Sequence, residues 1–445
     1  MEHALLERVK NTRLHLRKSL LATIFEEFDV QRMKLSEKQR KEKYDTMLES
    51  PFRFFRGSAY LFYFDVTKSP SIFHTSDVKP AWIQGDMHMD NFGAFQNETG
   101  DIVFDVNDFD EGYVGSYLYD IIRMSVSIAL YLEEQGLQQA AQETAIHHFL
   151  HSYIQQLKRF QRKQDDPLTL TFTKQNTKGP IKRVLKKLEK RQRSHFLQDI
   201  TYINDAGQRV FQWNDEVQPV SAEEYAAITT VLPSYKIKDI AIKYGSGTAS
   251  IGLKRYYILV EGQTDALGVD DLVLEMKEVR TAIPAYFLPY NEVFWENYKH
   301  QGARVVSTQK AMHHLEDPHL DYVTMDGQEY YIRERSPYKK KVKPKNYQDL
   351  EDYFTTAATM GQIAAKIHAR ADVDYSQVFT YHSEEEILNA IEKSAVYLWK
   401  VVFYKQCATR KSFILILNYL KNGLTRSFII VKNRPLPKKQ RSILW

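Results

Sequence analysis

Apolar residues at helical spacing occur along most of the chain and predict a largely helical protein. Residues 1–50 combine such spacing with many charges, which predicts an N-terminal helical arm. Residues 116–135 form a strongly apolar run with one internal acid, Asp120, and the run stops at Gly136, a residue type that commonly ends helices. An acid inside an apolar helix needs a partner. Further helices are predicted over residues 138–160, 181–197, 291–314, 347–372 and 383–420.

A different pattern, typical of strands, occupies the middle of the chain. Residues 237–244 alternate between apolar and polar positions, and residues 253–260 and 272–277 follow as two further apolar segments. A glycine-rich segment, residues 245–252, separates the first two. The pattern therefore predicts a small antiparallel sheet, to which residues 328–333 add a strand.

Two short apolar runs, residues 81–83 and 102–104, flank residues 96–100, which are rich in turn formers. This arrangement predicts two strands joined as a hairpin. Such a hairpin would bring together the acidic residues that follow each run. Residues 60–66 are apolar throughout, and their periodicity does not distinguish a buried strand from a buried helix.

These elements predict an α+β protein with two lobes, one a small antiparallel sheet and the other larger and mainly helical. An arm over residues 1–50 precedes a helical lobe over residues 51–235. The small sheet lobe spans residues 236–345. Residues 346–445 return to the large lobe as helices and end in a basic tail.

Composition agrees with a globular protein that has ample core material. The chain has 445 residues, of which 43% are hydrophobic and 26% are charged. It contains no run of about 18 apolar residues and begins with a charged segment, so we expect neither a membrane span nor a secretory signal, and a cytoplasmic location. One cysteine, Cys407, excludes an internal disulfide and leaves zinc coordination to histidine and carboxylates.

The net charge of +5 is unevenly spread, with basic runs at residues 182–195, 339–345 and 432–441. Each run could be a solvated surface, and each could also contact a negatively charged substrate or a protein partner. No zinc finger, recognition helix or RNP motif is present. Sequence-specific binding of nucleic acid is therefore not expected.

Acidic, amide and imidazole side chains crowd into residues 82–112 and indicate a functional site. They are Asp86, His88, Asp90 and Asn91 after the first apolar run, and Asp105, Asp108 and Asp110 after the second. A carboxylate can accept a hydroxyl proton, while an amide oxygen and a second carboxylate hold Mg²⁺, so the set suits metal-dependent phosphoryl transfer. His88 could instead supply a ligand to Mn²⁺ or Zn²⁺. Alternatively, these polar residues cap a hairpin and hydrogen-bond its turns.

The glycine-rich segment offers a second candidate site, for phosphate. Its residues Gly245, Ser246, Gly247 and Thr248 lie between two predicted strands, where glycine lets the backbone approach a phosphate group and present its amides. A flexible hairpin turn would have the same composition. Lys277 lies late in the third strand, where it is either a buried lysine that needs a phosphate or carboxylate partner, or an exposed edge lysine.

Taken in order, the motifs resemble the bacterial protein family called DUF2252, and the resemblance covers residues 51–372. The matching segments are FFRG at 54–57, GDMH with NFG at 85–93, NDFDE at 107–111, KE at 277–278, RVV with a glutamine at 304–309 and HAR at 368–370.

The same residues also resemble the parts of the protein-kinase and aminoglycoside-phosphotransferase fold, in a rotated order. The segment Asp86 to Asn91 is similar to the catalytic loop, Asp108-Phe109-Asp110 to the metal-binding segment, and Asp120 to the helix acid that braces the loop. In kinases the glycine-rich turn and strand lysine precede the catalytic loop, whereas here they follow it. The resemblance therefore implies a circularly permuted kinase-like fold.

This resemblance implies roles for individual residues. Asp86 would be the catalytic base, in a loop that includes His88, and Lys277 would contact the ATP phosphates under the glycine turn, where Gly245, Ser246, Gly247 and Thr248 also bind the nucleotide. The implied Mg²⁺ ligands are Asn91 and Asp108, with Asp105 and Asp110 as alternatives to Asp108. The glutamate that pairs with the strand lysine in kinases has no evident counterpart. Glu292 and Glu296 lie on the next predicted helix, but the segment that resembles the family there offers Gln309 and no acid nearby.

Three functions are consistent with these residues. The first is an ATP- and Mg²⁺-dependent phosphotransferase, with Mn²⁺ as an alternative ion, that acts on a small hydroxylated or amino acceptor. The second is a metal-dependent hydrolase that uses Asp86, His88, Asp105 and Asp108 as ligands. The third is a nucleotide-binding pseudokinase that binds a protein partner through its basic patches.

Overall fold

The computed structural model describes residues 2–191, 193–245, 247, 250–262, 270–315, 317–375, 379–392 and 395–419, and it shows an α+β protein. Its helices, in chain order, are α1 (Glu2–Phe25), α2 (Glu37–Met47), α3 (Pro51–Gly57), α4 (Ala59–Val66), α5 (Leu118–Glu134), α6 (Gln139–Gln161), α7 (Gly179–Leu188), α8 (Arg193–Ile200), α9 (Ala222–Val231), α10 (Glu292–Asn297), α11 (Gln301–Met312), α12 (Leu350–Arg370), α13 (Ser383–Glu392) and α14 (Ala395–Tyr419).

The strands form one larger sheet and several two-stranded ones. They are β1 (Ala81–Ile83), β2 (Phe92–Gln96), β3 (Ile102–Val106), β4 (Tyr113–Gly115), β5 (Thr201–Ile203), β6 (Arg209–Phe211), β7 (Val217–Pro219), β8 (Ile237–Lys243), β9 (Arg255–Val260), β10 (Leu272–Glu278), β11 (Asp321–Met325) and β12 (Gln328–Glu334). The larger sheet has the order β11-β12-β10-β9-β8-β7 and its neighbours are antiparallel. The predicted small antiparallel sheet is therefore present.

The predicted hairpin is present, but its first strand was assigned to the wrong residues. β3 pairs with β2, and Phe92 lies opposite Val106. The run Ala81–Ile83 forms β1, which pairs instead with β4. Both apolar runs are strands, but pairing between them required contacts that local turn signals do not determine. As a result, Asp86 lies between two separate two-stranded sheets.

The core of the large lobe lies between α5, α6 and α12. The predicted apolar face of α12 is buried at Ala357, Met360, Ala364 and Ile367. A Cβ atom on Gly361 would lie 2.2 Å from the carbonyl oxygen of Phe149 on α6, so the two helices can approach closely only because residue 361 is glycine.

The two faces of the larger sheet differ in polarity. On one face, Leu274 and Met276 of β10 join a buried apolar cluster that includes Ile228 of α9. Successive residues of a strand point to opposite faces, so Glu275 and Lys277 lie on the other face, towards the large lobe. The strand therefore directs a buried lysine towards Asp110.

Several predicted helix boundaries differ in the structure. Residues 60–66 are helical and lie within α4, and residues 181–197 contain α7 and α8 rather than one helix. The interval 291–314 also contains two helices, because a break after Asn297 lets the His300 side chain accept a hydrogen bond from the amide of Ala303 and cap α11. Helix α9 was not predicted, although its start carries a Ser221–Glu224 capping box.

None of the described helices is both long enough and apolar enough to cross a membrane. Ser246, Thr248 and the basic run 432–441 lie outside the described residues. The proposed division of the chain at residues 51, 236 and 346 stays a prediction.

Candidate functional site

The candidate catalytic loop follows β1, and a carboxylate of α5 holds its backbone. The Asp120 carboxylate accepts hydrogen bonds from the backbone amides of Gln84 at 2.6 Å and Gly85 at 3.0 Å, which gives this buried acid the partners it needs. Gly85 has φ +81°, and a Cβ atom there would lie 2.0 Å from the carbonyl oxygen of Glu111. The chain can therefore turn sharply at residue 85 and present the next residue, Asp86, to the cleft.

Asp86 is buried and paired with a second buried charge. Arg123 of α5 donates a hydrogen bond from Nε to Asp86 Oδ1 at 2.6 Å, and its guanidinium packs over the rings of Phe55 and Phe62. Burial raises the pKa of Asp86 to about 6, because the cost of desolvating the carboxylate exceeds the attraction of Arg123. A carboxylate with this pKa is ionised at neutral pH yet basic enough to accept a proton.

His88 is buried beside Asp86 and is neutral. Burial, reinforced by the positive charges of Arg56 and Arg123, holds the pKa of His88 well below its usual value. Its Nε2 atom lies 3.6 Å from Asp86 Oδ2, and its Nδ1 atom has no hydrogen-bond partner among the described residues. The imidazole edge also packs against Phe52. These contacts position the loop and leave one ring nitrogen available.

Asn91 and Asp108 offer side-chain oxygen atoms to the cavity that contains Asp86. The Asn91 Nδ2 group donates a hydrogen bond to the carbonyl oxygen of Asp86 at 3.0 Å, which fixes the amide and leaves Oδ1 as a free oxygen. Asp108 lines the cleft and forms no ion pair within the described part of the chain. One amide oxygen and one unpaired carboxylate are suitable ligands for Mg²⁺, and the site residues therefore fit this ion.

Lys277 is buried, and its partner is Asp110 rather than a glutamate on a following helix. Burial lowers the pKa of Lys277, but the adjacent carboxylate outweighs that effect and raises it above its usual value. Burial raises the pKa of Asp110, but the attraction of Lys277 more than reverses this and lowers the pKa below its usual value. Both groups are therefore charged. Asp110 is therefore engaged by the strand lysine and is less accessible to a metal than Asp108.

Asp105 is separated from the other acids of the segment. It is buried on β3 in an ion pair with Lys366 of α12, which is itself fully buried. Asp105 does not line the cavity that contains Asp86 and Asp108. The structure thus brings together most of the predicted acids but turns this one into the core of the large lobe.

A cavity of about 230 Å³ is lined by several of the predicted site residues, including Asp86, His88, Asn91, Asp108 and Lys277, but not by Asp110. Its walls combine the loop after β1, the segment after β3, the glycine-rich segment and the larger sheet, and are formed by Arg56, Asp86, His88, Asn91, Asn107, Asp108, Gly247, Ser250, Arg255, Lys277, Arg333, Lys339 and Lys341. We call it the inner cavity. Gly245 does not line it and lies beside Glu216.

An adjoining cavity of about 270 Å³ shares four residues with the inner cavity, namely Asn107, Arg255, Arg333 and Lys339. It contains Gln309 and His313 of the region around α11, whose Oε1 and Nδ1 atoms are buried without hydrogen-bond partners among the described residues. These two acceptors can bind an amino group of a ligand. The two cavities therefore adjoin along these four shared residues.

Sequence reasoning missed several charged residues of the site. Arg123 could have been found, because a lone arginine inside the apolar run 116–135 signals a buried ion pair as clearly as Asp120 does. Arg56 lies in the FFRG motif but was assigned no role. The pairing of Glu275 with Arg255 and Arg333 left no signal, since these residues lie on three different strands.

Comparison with known proteins gives one match. The family model described as "Uncharacterized protein conserved in bacteria (DUF2252)" matches residues 36–402, which is more than half of the chain. The chain therefore belongs to this family, as its motifs predicted. No curated protein and no solved structure matches it.

Proposed function

We propose that this member of the DUF2252 family is an ATP- and Mg²⁺-dependent phosphotransferase that acts on a small acceptor. One observation carries the proposal. Asp86, Asn91, Asp108 and Lys277 line the same cavity, together with Gly247 of the glycine turn, although up to 191 positions separate them in the sequence. These are the residue types that kinase-like enzymes use as base, metal ligands and phosphate contact.

The order of elements in the larger sheet supports the comparison with kinases. The glycine turn joins β8 to β9, the lysine lies on the next strand, β10, and a helix, α11, precedes the last two strands. In protein kinases, the glycine-rich turn and the strand lysine follow each other in the same order. Here the catalytic loop comes earlier in the chain, which is the arrangement expected of a circular permutation.

The reaction would use these residues as follows. The acceptor hydroxyl oxygen forms a bond to the γ-phosphorus of ATP, the bond from that phosphorus to the bridging oxygen breaks, and ADP leaves. Asp86 accepts the hydroxyl proton, and Arg123 holds its carboxylate in place. Lys277 binds the phosphates of the donor, which requires it to share or exchange its contact with Asp110. When bound to Asn91 and Asp108, Mg²⁺ supplies positive charge to the phosphate oxygens.

Two alternatives are less well supported. The hydrolase hypothesis needs Asp105 as a ligand, yet this residue is paired with Lys366. The described carboxylates and imidazole close enough to share one ion are Asp372, Asp374 and His382, none of which that hypothesis uses. The pseudokinase hypothesis predicts nucleotide binding without turnover, so any turnover that Asp86→Asn abolishes would exclude it.

Calorimetric titration with Mg²⁺·ATP tests the proposal. We expect binding to wild type, and at least tenfold weaker binding to Asp108→Ala and to Lys277→Met. Lys236→Ala is the matched control, because this exposed lysine precedes β8 and lies outside the cavity, so its affinity should equal that of wild type. Circular dichroism of each variant separates lost binding from lost folding. Absence of binding to folded wild-type protein would refute the proposal.

A further inference from the structure

The inner cavity carries far more positive than negative charge. Six of the side chains on its walls are basic and two are carboxylates; the basic residues are Arg56, Arg255, Lys277, Arg333, Lys339 and Lys341. The neighbouring Arg333, together with burial, lowers the pKa of Lys339 to about 7, so this lysine is only partly charged at neutral pH. A concave wall with one dominant charge sign concentrates ligands of the opposite sign. The donor phosphates would offset part of this positive charge.

Three cations on the sheet side, Arg255, Lys277 and Arg333, have carboxylate partners within the protein. Lys277 pairs with Asp110. The Glu275 carboxylate forms an ion pair with Arg255 at 3.1 Å and accepts a hydrogen bond from Arg333 Nε at 2.7 Å. Burial raises the pKa of Glu275, but the two arginines lower it well below its usual value, so the carboxylate is ionised. Each of these three cations therefore already contacts a carboxylate, although Glu275 alone serves both arginines and Arg255 Nε has no hydrogen-bond partner among the described residues.

The cations on the opposite side, Arg56 and Lys341, are not fully balanced. Arg56 donates a hydrogen bond from Nη1 to Asp90 at 2.6 Å, but its Nε atom is buried without a partner among the described residues. Lys341 forms no described ion pair. Burial lowers the pKa of Lys341; the carboxylate of Asp90 opposes this effect and the neighbouring Arg56 adds to it. Arg56 and Lys341 therefore share Asp90 as a nearby counter-charge.

Arg56 and Lys341 also border a second space. An outer cavity of about 520 Å³ shares both residues and Gly247 with the inner cavity, and it does not contain Lys277 or Asp108. The donor phosphates need the lysine and the metal ligands, so they occupy the inner cavity. A molecule in the outer cavity would reach Asp86 past Arg56 and Lys341, which is the position of an acceptor.

We infer that the acceptor carries a negatively charged group, a carboxylate or a phosphate ester, that binds Arg56 and Lys341 while its hydroxyl group faces Asp86. This inference rests on the proposed phosphotransferase function and narrows its substrate class. A cationic group placed beside Arg56 and Lys341 is disfavoured, because like charges repel, although Glu42, Asp90 and Glu134 also line the outer cavity. The transfer converts the acceptor hydroxyl and ATP into a phosphate ester and ADP, and the hydroxyl proton passes to Asp86.

The test measures anion binding to full-length protein saturated with Mg²⁺ and the non-hydrolysable ATP analogue AMP-PNP, which fills the donor site. Titration with inorganic phosphate and, separately, with glycerate should show a second binding event, and the tighter of the two identifies the charged group. Lys341→Gln and Arg56→Gln should weaken that event at least tenfold. Lys345→Gln, an exposed lysine of the same basic run, should leave it unchanged.

The outcomes separate the two proposals. Failure of AMP-PNP to bind would refute the phosphotransferase function itself. Binding of AMP-PNP with no binding of either anion would overturn only the inference, as would anion binding that Lys345→Gln weakens as much as Lys341→Gln does. Circular dichroism spectra of Lys341→Gln and Arg56→Gln that match wild type show that these variants remain folded, and the titrations are made at AMP-PNP concentrations that saturate each variant.

A chromatographic experiment gives an independent answer. A metabolite extract is separated into acidic, neutral and basic fractions, and each is incubated with the protein and γ-³²P-labelled ATP. Label should appear in a product of the acidic fraction, and Asp86→Asn should abolish it. Label transferred only into the basic or neutral fraction would contradict the inference while supporting the phosphotransferase function.

Discussion

Replacement of Asp120 should destabilise the protein and release the catalytic loop. In Asp120→Ala, the buried backbone amides of Gln84 and Gly85 lose a charged acceptor that lies 2.6 and 3.0 Å away. Hydrogen bonds to a charged group contribute about 1.5–3 kcal/mol each, so the variant should lose about 3–6 kcal/mol of unfolding free energy. Asp120→Asn keeps one acceptor oxygen and turns an amide towards the second donor, so it should lose roughly half as much.

Urea denaturation followed by circular dichroism measures these differences, and hydrogen exchange of the peptide that covers residues 84–91 reports on the loop itself. The matched control is Glu134→Ala, at the exposed end of the same helix, which should change stability by no more than about 0.5 kcal/mol. A loss below about 1 kcal/mol in Asp120→Ala, with unchanged exchange of the loop peptide, would refute the view that this carboxylate anchors the loop.

Two further predictions concern the loop. The acid limb of the kcat/KM profile should lie near pH 6, because Asp86 must be ionised to act as base and burial raises its pKa to about 6. Arg123→Gln should move this limb to higher pH by roughly 1–3 units, and Arg123→Lys should move it less. An unmoved limb would contradict the role of the ion pair. Gly85→Ala should lower the free energy of unfolding by about 2–4 kcal/mol in a denaturation experiment, because its Cβ would lie 2.0 Å from the Glu111 carbonyl oxygen. Gly100→Ala is the control: its φ is similar, but the nearest atom to its Cβ is 3.5 Å away, so the loss should be only about 1 kcal/mol.

Much of the fold could be predicted from local pattern. The apolar periodicity of α5 and α12 and the three strands around the glycine turn depend on residues close in sequence, and the structure confirms each of them. The capping residue of α11 was not recognised, although its contact with Ala303 is local, because histidine is not among the common N-cap residues. The run 81–83 was paired with the wrong strand, because that pairing depends on distant contacts.

The candidate site shows the same division. Its residue types could be named from the motifs, because a base, an amide and acids in one short segment have few other uses. Their partners could not, since an ion pair between α5 and the catalytic loop, or between β10 and Asp110, joins residues 37 and 167 positions apart. Such pairs depend on which surfaces pack together.

The sequence by itself therefore determined the elements, the family and the chemical inventory of residues 82–112. Only the tertiary structure decided that Lys277 faces Asp110 rather than a helix glutamate, that Asp105 turns into the core to meet Lys366, and that basic side chains dominate the cleft. The physical reason is that a charged group is stabilised by whichever opposite charge packing brings within a few ångströms, and sequence distance places almost no constraint on that choice.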